Sequence, residues 1–144
     1  MGWRNDGLKL KPMRNLILAS VIALLGICTS CNDADSKKKV QMVSAVQVYE
    51  AVYGEDSLQL VDVRTADEFA VSHLKNAQNI CVTSDDFEEK VAGLDKEKPV
   101  YVYCKKGGRS AKAATILKEM GFTKVYDLQG GLTSWQQEGL ETIN

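Results

Sequence analysis

Apolar and polar positions along the chain follow two periods. In "VQMVSAVQVYEAVYG", residues 40–54, Met42, Ala45, Val46, Tyr49, Val52 and Tyr53 recur at helical spacing, which predicts an amphipathic helix closed by Gly54. "LQLVDVR", Leu58 to Arg64, is a short aliphatic run with a polar exit and reads as a strand. "TADEF" then opens a helical turn, with Thr65 and Glu68 at capping-box spacing. "AQNI" predicts a second short strand before Cys81. "DDFEEKVAGL" predicts a helix with Phe87, Val91 and Leu94 on one side and acidic residues in its first turn, where the helix dipole favours them. "KPVYVYC" predicts a strand buried on both faces, hence central and parallel. Ser110 to Met120 predicts a helix with Ala113, Ile116, Leu117 and Met120 as its inner stripe and Gly121 as its cap. "KVYDL" predicts another strand, and "GGLTSWQQEG" a glycine-hinged turn with a short last helix holding Trp135. A helix followed by strands alternating with helices predicts an α/β domain, with a central, mostly parallel sheet and helices on both faces.

The first thirty residues break this pattern. A basic leader, "MGWRNDGLKLKPMRN", precedes the apolar run "LILASVIALLGI", Leu16 to Ile27. Those 12 residues are too few to span a bilayer as a helix, which needs ~20. They fit the apolar core of an export signal. The junction "LLGICTSCNDAD" resembles the processing site of bacterial lipoproteins, where a cysteine becomes the lipidated first residue. Cys31, after the small Ser30, suits that role, whereas Cys28 follows the bulky Ile27. The expected organisation is a signal peptide over residues 1–30, a flexible tether over 31–39 and one folded domain over 40–144. An uncleaved signal anchor is the competing reading.

Composition adds limits. The chain has 144 residues, enough for one compact α/β domain, and a formal charge of −1, which argues against a nucleic-acid partner. From Cys31 onward it holds 14 basic and 18 acidic residues, a net charge of −4. Of four cysteines, only Cys81 and Cys104 fall in the domain. An exported chain allows a disulfide between them, but sequence supplies no distance. They are no zinc site, because His73 is the sole histidine and the domain has no paired-cysteine spacing.

The candidate chemistry sits in "YVYCKKGGRSAKAATILKEMG", Tyr101 to Gly121. Cys104 ends the central strand, at the carboxyl edge where open α/β sheets bind ligands. The short loop "KKGG" can curl into a cup. Gly107 and Gly108 permit backbone angles that turn successive N–H groups inward, as an anion nest. The helix that starts near Ser110 adds its positive end. Lys105, Lys106 and Arg109 add cations, and such surroundings lower a thiol's pKa. The cup therefore offers a thiolate nucleophile and a holder for a small anion. The plainer reading is a buried structural cysteine beside a solvated basic turn. Cysteine phosphatases use a similar loop that is one residue longer. The shorter ring here suits a single persulfide sulfur rather than a tetrahedral phosphoryl group.

From about Val40 to the C-terminus the chain resembles a rhodanese-homology domain, a single-domain sulfurtransferase. The first motif is "LVDVRTADEFAVSHLKNAQNI", the second "CKKGGRS" and the third "VYDLQGGLTSWQQEG". Ser72, Asn76 and Cys81 depart from the family's usual glycines and proline, and Asn76 tolerates left-handed backbone. The resemblance implies that Cys104 takes the outer sulfur of thiosulfate or another sulfane donor, holds it as a persulfide, and passes it to cyanide or a small or protein thiol. It implies neither a metal nor a cofactor. Lys105 and Lys106 would draw in the anionic donor, the amides of the loop from Lys105 to Ser110 would hold it, and Arg109 would brace the loop or neutralise charge. Asp62 and Arg64 would shape the pocket entrance, unless Arg64 pairs with Glu68. His73 is an acid–base group or a hydrogen-bonding support beneath the site. Trp135 either touches substrate or, the plainer reading, packs in the core or a lid. Cys81 either resolves the persulfide or is an incidental small hydrophobe. The expected protein is a monomer, exported and lipid-anchored to a bacterial membrane through Cys31, facing the periplasm or cell surface. A rhodanese-fold module that binds a partner protein without catalysis is the alternative; phosphatase or arsenate-reductase chemistry is disfavoured by loop length.

Overall fold

The computed structural model describes residues 1–2, 39–54 and 58–144. The expected signal peptide, Cys28, Cys31 and the tether before Lys39 lie outside the described residues, apart from Met1 and Gly2. From Lys39 onward the described residues belong to one compact unit.

Among the described residues, ten elements follow in order: β1 Gln41–Val43, α1 Ala45–Gly54, β2 Gln59–Asp62, α2 Ala66–Val71, β3 Gln78–Asn79, α3 Phe87–Val91, β4 Val100–Tyr103, α4 Gly108–Glu119, β5 Val125–Leu128 and α5 Gly131–Gln137. The five strands form one sheet in the order β1-β5-β4-β2-β3, and every pairing is parallel. β4 is the central strand, as its doubly apolar pattern requires. Apolar side chains collect in two clusters. One joins Val61, Val63, Val100, Val102 and Val125 to Phe87, Val91 and the α4 residues Ala113, Ala114 and Leu117. The other joins Leu60, Tyr103 and Leu128 to Ala45, Val48 and Val52 of α1 and to Leu132 and Trp135 of α5. Two cores separated by a parallel sheet are the layer architecture of an α/β domain. The chain runs from β2 outward to β3, then returns to β4 on the other side of β2, so a crevice opens at the carboxyl ends of β2 and β4.

The segment 40–54 departs from expectation. It divides into strand β1 and helix α1, joined at Ser44. Of the residues predicted to mark the helix, Ala45 and Val52 are buried, with Val48 beside them, whereas Met42, Val46, Tyr49 and Tyr53 are exposed. The predicted set spans two adjacent stripes, and the sheet buries the one with the smaller residues. A start signal was present. Ser44 and Gln47 bond reciprocally, Gln47 N–H to Ser44 Oγ at 3.3 Å and Ser44 N–H to Gln47 Oε1 at 2.9 Å. That is a capping box with glutamine in the third position. The predicted box at Thr65 and Glu68 is also present at the head of α2. Asn76 adopts φ 65°, the left-handed conformation its side chain tolerates.

Candidate active site

The end of β4 delivers Cys104 into the crevice. The residue is 2% exposed, and its Sγ accepts the Gly107 N–H at 3.1 Å. Gly107 makes that bond possible with φ 106°, a left-handed angle that turns the peptide inward. Gly108, expected to share this role, is instead the first residue of α4 with ordinary helical backbone. Ser110, fully buried in the first turn, donates from Oγ to Gly107 O at 3.0 Å. The loop thus closes on itself around the sulfur.

Burial pushes the Cys104 thiol up, but the Ser110 N–H and hydroxyl and the Lys106 and Gly107 N–H groups outweigh it, and the pKa falls below its ordinary value. The dominant stabilisers are backbone amides and one hydroxyl, rather than the lysine side chains; Lys105 and Lys106 themselves are exposed. The alkylation rate of Cys104 is therefore expected to rise with pH through a midpoint below ~8.5, the value of a free cysteine. Iodoacetamide kinetics across pH check this; a midpoint at or above that of a free thiol refutes the amide account.

Arg109 turns away from the sulfur to a carboxylate on another helix. Its Nη1 donates to Glu68 Oε2 at 2.6 Å and its Nη2 to Glu68 Oε1 at 2.8 Å. Glu68 is the third residue of α2, held by the capping box with Thr65. One side chain therefore starts a helix and clamps the cysteine loop. The alternative pairing of Arg64 with Glu68 does not occur. Arg64 folds back on Asp62, with Nε 2.9 Å from Oδ1 and Nη2 2.5 Å from Oδ2, and Nη2 also donates to Ser72 O at 2.6 Å. Both partners are buried. Arg64 lines a cleft of about 290 Å³ with Glu68, Lys105 and Thr133, whereas Asp62 is buried behind it and holds it.

The bond to Arg109 is the main cause that lowers Glu68 from 4.5 to about 2. A carboxylate depressed on folding stabilises the native state above its unfolded pKa, and that contribution disappears as pH falls through the folded value. Glu68→Gln keeps the capping bonds and removes the charge. It is expected to cost about 1 kcal/mol near neutral pH, the scale of a partly exposed pair. The gap from wild type should hold above pH 4.5 and close toward pH 2. Urea titrations of both proteins at several pH values measure it.

A second support comes from the closing motif. The start of α5 docks under the loop: Leu132 N–H donates to Cys104 O at 2.8 Å, and Thr133 donates to Lys105 O from N–H at 3.0 Å and from Oγ1 at 2.9 Å. The loop carbonyls thereby satisfy the free N–H groups of a helix start. The remaining candidates have partners of their own. His73 Nδ1 is 2.9 Å from Phe69 O, to which it donates, its ring stacks on Phe69, and its backbone pairs with Ile143; this is a structural role. Trp135 is core, 1% exposed, with Nε1 donating to Glu141 O. Cys81 and Cys104 are both free thiols, so the disulfide left open by the sequence is not formed.

Comparisons with known proteins agree with this fold. The rhodanese-like domain model matches residues 44–138. The chain is 36% identical over 97 residues to the thiosulfate sulfurtransferase GlpE of Coxiella burnetii, covering 67% of this chain and 87% of that protein. It is 38% identical over 77 residues to the uncharacterized protein YqhL of Bacillus subtilis, where the match spans 54% of this chain and only 60% of the relative. Among solved structures, the rhodanese-related protein of Thermoplasma volcanium superposes with a TM-score of 0.63 at 29% identity, covering 72% of this chain and 97% of that one. A rhodanese-like domain protein from Staphylococcus aureus gives 0.62 at 28% identity, with 73% and 100% covered. The chain belongs to the rhodanese-like domain family.

Proposed function

We propose that this domain is a sulfurtransferase that carries sulfane sulfur on Cys104 as a persulfide. The observation that carries the reading is the sulfur at the end of β4, with the Gly107 N–H directed onto it at 3.1 Å and its pKa lowered by the amides and hydroxyl of the same loop. The name of the GlpE relatives, thiosulfate sulfurtransferase, supports the donor class.

The reaction has two halves. The Cys104 thiolate attacks the outer sulfur of thiosulfate. The sulfur–sulfur bond of the donor breaks, and its electron pair leaves on sulfite. The anionic outer sulfur of the resulting persulfide is held by loop N–H groups that are already oriented before the reaction. A thiolate or cyanide then attacks that outer sulfur, and the bonding pair returns to Cys104 Sγ. Lys105 and Lys106 raise the local concentration of the anionic donor. Arg109, committed to Glu68, keeps the loop closed and carries no reacting atom.

Incubation of the wild-type protein with thiosulfate, followed by intact mass measurement and peptide mapping, tests the reading. One added sulfur on the Cys104 peptide is the expected result. No gain with any sulfane donor overturns the transfer reading and leaves a rhodanese-fold module that binds a partner protein. The lipoprotein-like junction supports export and anchoring at Cys31. Incorporation of labelled lipid by wild type, lost in Cys31→Ala, is expected; equal labelling of the two refutes it.

A further inference from the structure

Seven large apolar residues are exposed among the described residues, and four of them, Met42, Val46, Tyr49 and Tyr53, lie between positions 42 and 53. Single exposed residues of this kind are ordinary, whereas a cluster marks a surface that something covers. On α1, Val46, Tyr49 and Tyr53 fall within about 60° of one another around the helix axis, beside the buried face of Ala45, Val48 and Val52. The Tyr49 and Tyr53 rings lie 4.4 Å apart, and the Lys75 ammonium stands 5.4 Å over the Tyr53 ring. Exposed Glu50 borders the stripe. Tyr49 also lies 6.0 Å from buried Trp135 of α5, which ties the stripe to the core.

The place of this face in the chain points to its occupant. Lys37, Lys38 and Lys39 immediately precede it, and Lys39 is exposed. Lys39 is eight positions after Cys31, at most ~29 Å of extended chain. A domain of about a hundred residues is roughly 33 Å across. A tether no longer than the domain keeps the side that carries Lys39 close to the surface that holds Cys31. All strand pairings are parallel, so α1 runs back between β1 and β2 and brings Tyr53 toward the end of the sheet where Lys39 lies. The cysteine cleft is at the opposite, carboxyl end, and no residue of the stripe lines it. Lysines suit anionic headgroups, and tyrosine rings suit the boundary between headgroups and acyl chains. A protein partner fits less well, because the stripe offers on the order of 300 Å² against ~800 Å² per partner in a stable complex. An anchored domain needs less area, since the anchor makes the second contact intramolecular. We propose that the exposed face of α1, together with Lys37 to Lys39, is a resting surface for an anionic lipid bilayer: Val46, Tyr49 and Tyr53 sit at headgroup level and the cysteine cleft is turned away. The tether length matters only with Cys31 anchored, as proposed above; sulfur transfer plays no part.

The full chain in vesicles of phosphatidylcholine, with or without phosphatidylglycerol, tests this by hydroxyl-radical footprinting read by peptide mass spectrometry. Oxidation of Tyr49 and Tyr53 is expected to fall several-fold in the anionic vesicles, while Val71 and Ile143, exposed elsewhere, stay unchanged. Added salt should reverse the fall. Lys37→Gln, Lys38→Gln and Lys39→Gln combined should abolish it. Tyr53→Glu should abolish the fall at Tyr49 and leave thiosulfate loading of Cys104 as in wild type, since Tyr53 does not line the cleft. Equal oxidation of the two tyrosines in both kinds of vesicle overturns the proposal. So does protection that grows with protein density in neutral vesicles, which would put a second copy of the chain on the patch. If Cys31 takes up no lipid yet the tyrosines are protected, the anchor falls and the surface stands. Lipid on Cys31 with unprotected tyrosines leaves the anchor and removes the surface.

Discussion

Cys104→Ser is expected to abolish sulfur loading and to leave the domain folded. A serine hydroxyl stays protonated at neutral pH, and the amides that lower a thiol cannot bring an alcohol into range. Its shorter bond also draws the nucleophilic atom back from the donor. Removing a covalent nucleophile costs a factor on the order of 10⁴ to 10⁶ in turnover. Serine fills nearly the same volume and still accepts the Gly107 N–H, so the loss of stability should stay within about 1–2 kcal/mol. Thiosulfate–cyanide turnover and a thermal melt of the same sample separate the two effects. Turnover that survives in Cys104→Ser would place the sulfur on another residue.

Gly131→Ala is expected to be the most damaging single-methyl change. Gly131 adopts φ 58°, and a Cβ there would overlap Cys104 O and sit 2.9 Å from Lys105 C. Both obstacles are backbone of the loop that holds the sulfur, so neither can rotate aside. Either α5 backs away, breaking the Leu132 and Thr133 bonds to the loop, or the loop shifts and loses its hold on Sγ. A loss of roughly 3–5 kcal/mol is the scale of such an insertion. Gly108→Ala is the control. A Cβ at Gly108 meets nothing within 4 Å, and its backbone is already helical. It should be neutral or stabilise by up to about 1 kcal/mol. Denaturant midpoints of the two variants decide the matter; equal midpoints would mean that α5 does not buttress the loop.

Much of the fold was legible because its signals are local. The doubly apolar run 100–103 marked the central strand, and "KKGG" between it and an amphipathic helix marked the cup. Thr65 and Glu68 announced their capping box. Where reading failed, the deciding information lay elsewhere. The helix assigned to residues 40–54 starts late because residues 41–43 pair with β5, more than eighty positions away. Of its predicted apolar positions, Ala45 and Val52 face the sheet, joined by Val48, whereas Val46, Tyr49 and Tyr53 face solvent.

The site divides along the same line. Residue types and spacing along the chain determined that a thiol would stand at a strand end, inside a glycine-containing loop capped by a helix, and how wide that loop would be. Only the tertiary structure decided which groups stabilise it. Arg109 finds Glu68 across 41 positions, and Leu132 and Thr133 reach Cys104 and Lys105 across 28. Hydrogen bonds and desolvation depend on distance and direction in space, and a one-dimensional pattern carries neither for residues that meet only when the sheet assembles.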